Sequence, residues 1–364
     1  MELALYCPDC GYYEREKDII GKGGDYYTSV SAGRLFGELL AFQFAAWRDE
    51  AEQDWQIVEA GAHDGRLAAD ILAWLRHNRP GIFDTLEYWI IEPSANRREW
   101  QAQTLAEFGA RVRWASTLTR PKGGDPTGDS LHPSGVDGVI FSNELLDALP
   151  VHRLAWDAEK REWFEWGVTL SFGKLAWQAL PQDRPADCGL ASTGEWVWAR
   201  LGELPKELLE VLPNGFVLEV SPVAEQWYLA AAKILRNGKL VTIDYGLTTE
   251  EILVPERTHG TLRAYYKHAP SSDVLARPGM QDITAHVNFS ALQVAGESSG
   301  LRTEAFSWQE QFLTGIATLQ WNKNASGDDW TAERTRQFQT LTHPEQMGRK
   351  FRVLVQSRGQ VDPT

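Results

Sequence analysis

The sequence predicts an α/β fold in which a mostly parallel sheet is wound on both faces by helices. Three observations predict it. Short segments rich in Val, Ile and aromatics alternate with stretches of helical periodicity. A glycine-bearing turn follows the first of these strands. Polar residues then stand at the strands' carboxyl ends, where open α/β sheets bind ligands.

The first strand is Trp55 to Ala60, ending in the turn Gly61 to Gly65. From Leu67 to Arg76, Leu67, Ile71, Leu72 and Leu75 recur at helical spacing. Leu86 to Glu92 is the second strand, followed by a helix from about Ala95 to Phe108. Arg111 to Trp114 is a weaker third strand, Val136 to Phe141 the fourth and Lys239 to Asp244 the fifth. A helix over Ala224 to Leu235 precedes the fifth and is expected to stop at Asn237-Gly238, a pair that suits a helix C-cap. Thr119 to Gly135, dense in Pro, Gly, Ser and Asp, is a surface loop. Val151 to Leu180 alternates as an antiparallel meander whose Trp residues pack it onto the core, and Thr248 to Gly300 is a second insertion. Arg302 to Trp308 and Lys350 to Gln356 can pair antiparallel at the sheet edge.

Composition narrows the function. The 364 residues are 43% apolar and 24% charged, as in globular proteins. Thirty-six basic against 50 acidic residues leave a net charge of −14, which repels phosphate backbones and argues against a nucleic-acid partner. Three cysteines cannot close a set of disulfides, so a reducing compartment is expected. No apolar run is long enough to span a bilayer, and the first basic residue is Arg15, unlike a secretory or transit leader. Cytoplasmic localisation without membrane insertion is the expectation. Cys7-Pro-Asp-Cys10 has metal-site spacing but no second ligand pair, so no metal is expected and the two read as ordinary thiols.

The glycine turn points to a nucleoside-containing cofactor. Glycines let the backbone approach a ligand at a helix N-terminus, and Glu92 at the end of the second strand can accept ribose hydroxyls. For NAD the turn is poor, because His63 replaces a glycine and Asp64 would repel the pyrophosphate. S-adenosylmethionine has no phosphate and a cationic sulfonium, so Glu59 and Asp64 favour it. Beyond the fourth strand stand Asn143, Glu144 and Asp147. Asn143 can bind the amino-acid end of a cofactor, although Ser142 or Asn143 can equally cap the following turn.

Several stretches carry a family resemblance: Leu5-Tyr-Cys-Pro-Asp-Cys-Gly-Tyr-Tyr, Gly24-Asp-Tyr-Tyr-Thr-Ser, Leu35-Phe-Gly-Glu-Leu-Leu-Ala, Val58-Glu-Ala-Gly and Ile91-Glu-Pro-Ser. Ser142-Asn-Glu-Leu-Leu-Asp-Ala-Leu-Pro-Val, Leu218-Glu-Val-Ser-Pro, Ile243-Asp-Tyr-Gly, Gly260-Thr-Leu-Arg-Ala-Tyr and Asp282-Ile-Thr-Ala-His-Val-Asn-Phe follow. The chain resembles the MidA-like family of S-adenosylmethionine-dependent methyltransferases, which includes the mitochondrial complex I assembly arginine methyltransferase and bacterial relatives. The resemblance implies a class I methyltransferase fold, Rossmann-like with a mostly parallel seven-stranded sheet and β-rich and loop insertions. It implies one domain over 1–364, with 1–50 covering the cofactor, a meander at 151–215 and a substrate-side insertion at 247–300.

The cofactor set implied is Tyr27, Thr28 and Phe36 from the cover, Glu59, Gly61, Ala62 and Gly65 from the turn, then Glu92 and Asn143. A protein arginine or other nitrogen acceptor needs carboxylates that hold a guanidinium in plane and take a proton late. The candidates are Glu144, Asp147, Asp244 and Asp282, with His286 as a general base. A protein substrate is expected and a homodimer is allowed. The chain departs from the family at His63, usually glycine, at Asn288, usually Asp, and at Cys7 and Cys10, where polar residues or His are common. Loss of a carboxylate at Asn288 motivates the alternative, an S-adenosylmethionine-binding assembly factor or chaperone with weak or lost catalysis.

Overall fold

The computed structural model describes residues 1–15, 28–50, 55–118, 131, 135–181, 204–267, 269–323 and 330–359. Its strands, in chain order, are β1 (Gln56–Ala60), β2 (Glu87–Ile91), β3 (Val112–Ala115), β4 (Val136–Asn143), β5 (His152–Asp157), β6 (Glu162–Ser171), β7 (Lys174–Ala179) and β8 (Val217–Val220). There follow β9 (Leu235–Leu247), β10 (Arg263–Tyr266), β11 (Ala269–Ser271), β12 (Asp282–Thr284), β13 (Val287–Asn288), β14 (Arg302–Trp308) and β15 (Phe351–Arg358).

The main sheet runs β14-β15-β9-β4-β1-β2-β3, with β13 added beside β9. From β9 through β4, β1 and β2 to β3 every pairing is parallel, and β15 alone on this path runs against its neighbours. Both faces are covered. Alternation along β1 sends Ile57 into one apolar cluster and Val58 and Ala60 into the other. That two-sided burial is why these strands read as continuous apolar runs. On the first face the helix Arg66–Asn78 buries Leu67, Ala68, Ile71, Leu72 and Leu75 beside Leu39, Leu40 and Phe44 of the helix Leu35–Asp49. Each such leucine is worth about 1.5–3 kcal/mol in burial. Among the described residues no helix is long and apolar enough to cross a membrane.

Three local expectations are corrected, and a fourth cannot be compared. The helix expected over Ala224 to Leu235 spans Pro222–Ile234, and Asn237-Gly238 lie inside β9 rather than at a helix end. Gly238 is there for a close crossing, since a Cβ on it would meet the Gly138 carbonyl oxygen at 1.9 Å. The helix expected to reach Phe108 ends at Thr104 and tightens into a 3-10 turn, Ala106–Arg111, in which Gly109 takes a φ of +54°. The meander does not pack on the main core. Its strands β5 to β7 recruit β8 into a separate four-stranded sheet, and Trp156 and Trp163 meet at 5.3 Å in a cluster with Phe216, Leu218 and Ile252. Finally, apart from Leu131 and Gly135, the loop expected at Thr119 to Gly135 lies outside the described residues.

The amino-terminal segment and the second insertion meet over the sheet's carboxyl edge. Leu5, Tyr12 and Tyr13 share one apolar cluster with Leu262, Ala264, Ile283 and Ala148.

Candidate functional site

A cleft of about 1060 Å³ opens at the carboxyl ends of β1, β2 and β4. The turn after β1 forms its floor because its backbone is left-handed at Gly61 (φ +76°) and Gly65 (φ +85°). A Cβ on Gly61 would approach Leu145 Cδ1 to 2.9 Å, so the turn after β1 and the loop after β4 fit only with glycine there. His63 holds a left-handed φ of +46° without being glycine. Its carbonyl is held by Gln101 Nε2 at 3.0 Å. Asp64 turns inward: its carboxylate accepts the Arg66 N–H at 3.2 Å and pairs with Arg66 Nε at 2.7 Å. Burial would raise its pKa, but His63 and Arg66 outweigh burial and hold it below the usual range.

Two buried carboxylates line the wall beside this floor. Glu59 accepts the Tyr88 hydroxyl at 2.7 Å, and burial pushes it up to about 7. Glu92, 1% exposed, accepts the Ser94 N–H at 3.0 Å and Gln101 Nε2 at 3.2 Å, with Arg97 Nε 3.4 Å away. Burial raises it against the pull of Arg97. Ser94 caps the helix Ala95–Thr104, and its hydroxyl donates to Glu14 Oε2 at 2.6 Å. Glu14 therefore ties the amino-terminal segment to this wall.

At the end of β4, Glu144 adopts φ +52°, a left-handed conformation that costs a non-glycine residue energy. The strain aims its carboxyl at the cleft, where Oε1 accepts the Ser29 N–H at 3.0 Å and Asn143 Nδ2 at 3.2 Å. Burial, reinforced by Asp244 and Asp282, pushes Glu144 up to about 8. Asn143 Oδ1 also faces this region, buried and with no hydrogen-bond partner among the described residues. Behind Glu144, Asp244 accepts the N–H groups of Leu145, Leu146 and Tyr245, which shapes the loop. Burial drives Asp244 up to about 7 and Asp147, which hydrogen-bonds to it, well above the carboxylate range. Asp282 accepts the Tyr13 hydroxyl at 2.7 Å.

The structure thus brings Glu59, Gly61, Ala62, Glu92, Asn143, Glu144 and Thr28 to the cleft lining. Gly65 shapes the turn from behind, and Asp147, Asp244 and Asp282 sit behind Glu144 without lining the cleft. Other expected residues fall elsewhere. Phe36 is wholly buried in the main core, because its helix presses on the helix Arg66–Asn78; a Cβ on Gly37 would meet Asp70 Cβ at 2.6 Å. His286 is not at the cleft. Burial and the charges of Arg257 and Arg263 push it down to about 4, leaving it neutral among cations rather than beside the carboxylates. Asn288 caps the helix Phe289–Ser298, its Oδ1 accepting from Ala291 N–H at 3.1 Å and Thr249 Oγ1 at 3.2 Å. Asn and Asp serve that role alike, so its departure from the family pattern removes no carboxylate from the cleft. Tyr27 lies outside the described residues. Sequence reasoning missed Tyr6, Tyr13, Glu14, Arg97 and Trp227, all of which line the cleft. The matching run Leu5 to Tyr13 was the available signal for Tyr6 and Tyr13; nothing local marked Glu14, Arg97 or Trp227.

These groups fit S-adenosylmethionine. Glu92 offers acceptors for ribose hydroxyls, the orphaned Asn143 Oδ1 asks for a donor such as an ammonium, and Glu59 and Glu144 suit a cationic sulfonium. A diphosphate would meet Glu59 and Asp64 at the turn, and the arginines nearby, Arg66 and Arg97, are already paired with Asp64 and Glu92.

The comparisons agree. A family model described as putative S-adenosyl-L-methionine-dependent methyltransferase matches residues 39–307. The mitochondrial protein arginine methyltransferase NDUFAF7 of Rattus norvegicus is 28% identical, over 96% of this chain and 78% of its own length. Its Drosophila melanogaster homolog is 28% identical, over 99% of this chain and 80% of its own length. A likely methyl transferase from Burkholderia thailandensis, solved with S-adenosyl-homocysteine bound, superposes with a TM-score of 0.78 at 30% identity, covering 98% of this chain and 86% of that one. Glycine turn, strand-end acids and matched length converge: the chain belongs to the MidA-like family of S-adenosylmethionine-dependent methyltransferases.

Proposed function

We propose that this methyltransferase places a methyl group on a guanidinium nitrogen of a protein arginine. The observation that carries the reading is Glu144, a strained, half-buried carboxyl at the cleft wall with the buried Asp147, Asp244 and Asp282 behind it. Such a group of acids is uncomfortable without a cation, and a guanidinium is the cation whose fork matches a carboxylate. The rat and fly relatives, named as arginine methyltransferases, support the same acceptor.

When bound, S-adenosylmethionine supplies a methyl group on cationic sulfur. The chain's residues supply the rest. Glu92 and Asn143 would hold its ribose and amino-acid ends, with Thr28 and the glycine turn lining the same cleft. Glu144 is held by Ser29 and Asn143 through Oε1, which leaves Oε2 to meet the guanidinium. With its pKa near 8 it is protonated in the free chain and ionises when a cation arrives; its basicity suits it to take the proton that the methylated nitrogen gives up. Asp244 fixes the Leu145–Leu146 backbone and so the direction of Glu144. With Asn288 assigned to a helix cap, no observation favours a chain that has lost catalysis. We place the reaction in the cytoplasm on the thiol content of the chain; the rat and fly relatives are named as mitochondrial.

The test is methyl-labelled S-adenosylmethionine with arginine-containing proteins and peptides, the product localised by fragmentation mass spectrometry. Label on arginine nitrogen supports the reading. Label confined to lysine or to small amines sinks it.

A further inference from the structure

The proposed methyl transfer uses neither Cys7 nor Cys10, and the structure puts the two together. The helix Glu2–Tyr6 stops at Cys7, and the chain doubles back through Pro8 and Asp9. The Cys7 carbonyl accepts both the Cys10 N–H at 3.2 Å and the Gly11 N–H at 2.7 Å. Gly11 permits this closure, since a Cβ there would meet Cys7 N at 2.5 Å. The Cys10 thiol donates to Cys7 Sγ at 3.0 Å, with Cys7 half-buried and Cys10 exposed. Among the described residues no group of three or more His, Cys, Asp or Glu is placed to hold a metal ion. The same turn is part of the cleft wall: Glu2, Tyr6 and Pro8 line it, and the Tyr6 hydroxyl donates to the Ala148 carbonyl at 3.0 Å, just beyond the Glu144 loop.

We propose that Cys7 and Cys10 form a redox-active dithiol, oxidised to an intramolecular disulfide by low-molecular-weight disulfides, whose state changes the affinity of the neighbouring cleft. The environment divides the roles. The Cys10 thiol, then the Asp9 and Cys10 N–H groups, hold the Cys7 thiol below its usual range, while the hydrogen bond it gives to Cys7 pushes Cys10 up. Cys7 is the attacking thiolate, as the lower-pKa partner of a Cys-X-X-Cys pair. It attacks one sulfur of the incoming disulfide, forming a mixed disulfide and releasing one thiolate, which takes up the proton from Cys10. The Cys10 thiolate attacks Cys7 Sγ and expels the second thiol. Two protein thiols lose two electrons and two protons, and one small disulfide becomes two thiols. Bonding shortens the sulfur separation from 3.0 Å to about 2.0 Å. That movement pulls on the Pro8 wall of the cleft. By linkage, whatever factor the disulfide imposes on ligand affinity, ligand imposes on the dithiol equilibrium.

The full chain with its third cysteine replaced, Cys188→Ser, is equilibrated anaerobically in reduced and oxidised glutathione, acid-quenched, alkylated and weighed, with and without saturating S-adenosylhomocysteine. The expected result is a two-electron transition to a Cys7–Cys10 disulfide whose exchange constant shifts about threefold or more with the ligand. The further substitution Cys10→Ser should instead accumulate glutathione on Cys7. Glutathione adducts with no Cys7–Cys10 disulfide at any ratio would overturn the dithiol. An exchange constant indifferent to the ligand would overturn its link to the cleft.

Discussion

Glu144 combines a left-handed backbone, partial burial at the cleft wall and a pKa raised to about 8. Glu144→Gln keeps the shape and the Ser29 contact but can neither ionise nor take a proton. It should lower methyl transfer by about 100-fold or more, the lower end of what a positioned acid–base group supplies, while S-adenosylhomocysteine affinity by calorimetry changes less than about threefold. A parallel loss of both would assign Glu144 to cofactor binding. Asn288→Asp restores the family residue at a helix N-cap, where the two are nearly equivalent. Turnover should stay within about twofold and stability within about 0.5 kcal/mol; a large gain in turnover would return position 288 to the chemistry. At this scale, residues flanking a strand end were readable, because period-two strands and the carboxyl-edge rule place Glu59, Glu92, Asn143 and Glu144 without knowledge of packing. Phe36 and His286 were not, since an apolar residue on a helix and a histidine in an irregular stretch take their surroundings from elements far along the chain.

Elements show the same division. The succession of strands along the chain follows from alternation, as does the antiparallel pair at the sheet edge. The crossing of β1, β4 and β9 does not, because it depends on Gly138 and Gly238 stacking: a Cβ on Gly138 would meet the Gln56 carbonyl oxygen at 1.9 Å. Gly238→Ala combines that kind of overlap with a φ of +125° and should cost about 3 kcal/mol or more, read as a lowered urea midpoint. A change below about 0.5 kcal/mol would show that the sheet relaxes there. The amino-terminal cover was expected from resemblance alone, since nothing local predicts that Glu14 reaches Ser94 Oγ at 2.6 Å across 80 residues of chain. Glu14→Ala should weaken S-adenosylhomocysteine binding severalfold and leave the melting temperature nearly unchanged, because the contact holds the cover and not the core. A melting loss with unchanged affinity would contradict that division.

The molecule as a whole keeps protons it would lose on unfolding. Glu59, Asp244 and Glu144 are raised to about 7, about 7 and about 8, and Asp70 to about 6, each chiefly by burial. Folded pKa values above the unfolded ones give stability that is fully present below about pH 4, near the unfolded values, and lost as pH rises through the folded values. The lowered group at the turn, Asp64, titrates below this window, and His286, lowered to about 4, opposes the trend only below about pH 6.5, one group against four. The melting temperature of the free chain should therefore fall by several degrees between about pH 5.5 and about pH 8.5. Glu144→Gln should flatten that slope; an unchanged slope would remove Glu144 from the set. These acids could be named from the sequence but their shifts could not, because Glu144 with Asp147, then Asp244 and Asp282, come from three separate segments and acquire their shifts only together.

The central claim is that the turn after β1 and the loop after β4 enclose one cofactor pocket that opens onto Glu144. A crystal structure of this chain with S-adenosylhomocysteine tests it most directly. The account predicts ribose hydroxyls on Glu92, the amino-acid end against Gly61 and Asn143 Oδ1, and the sulfur facing the Glu144 carboxyl. Ligand bound elsewhere, or bound with its sulfur turned away from Glu144, would contradict it.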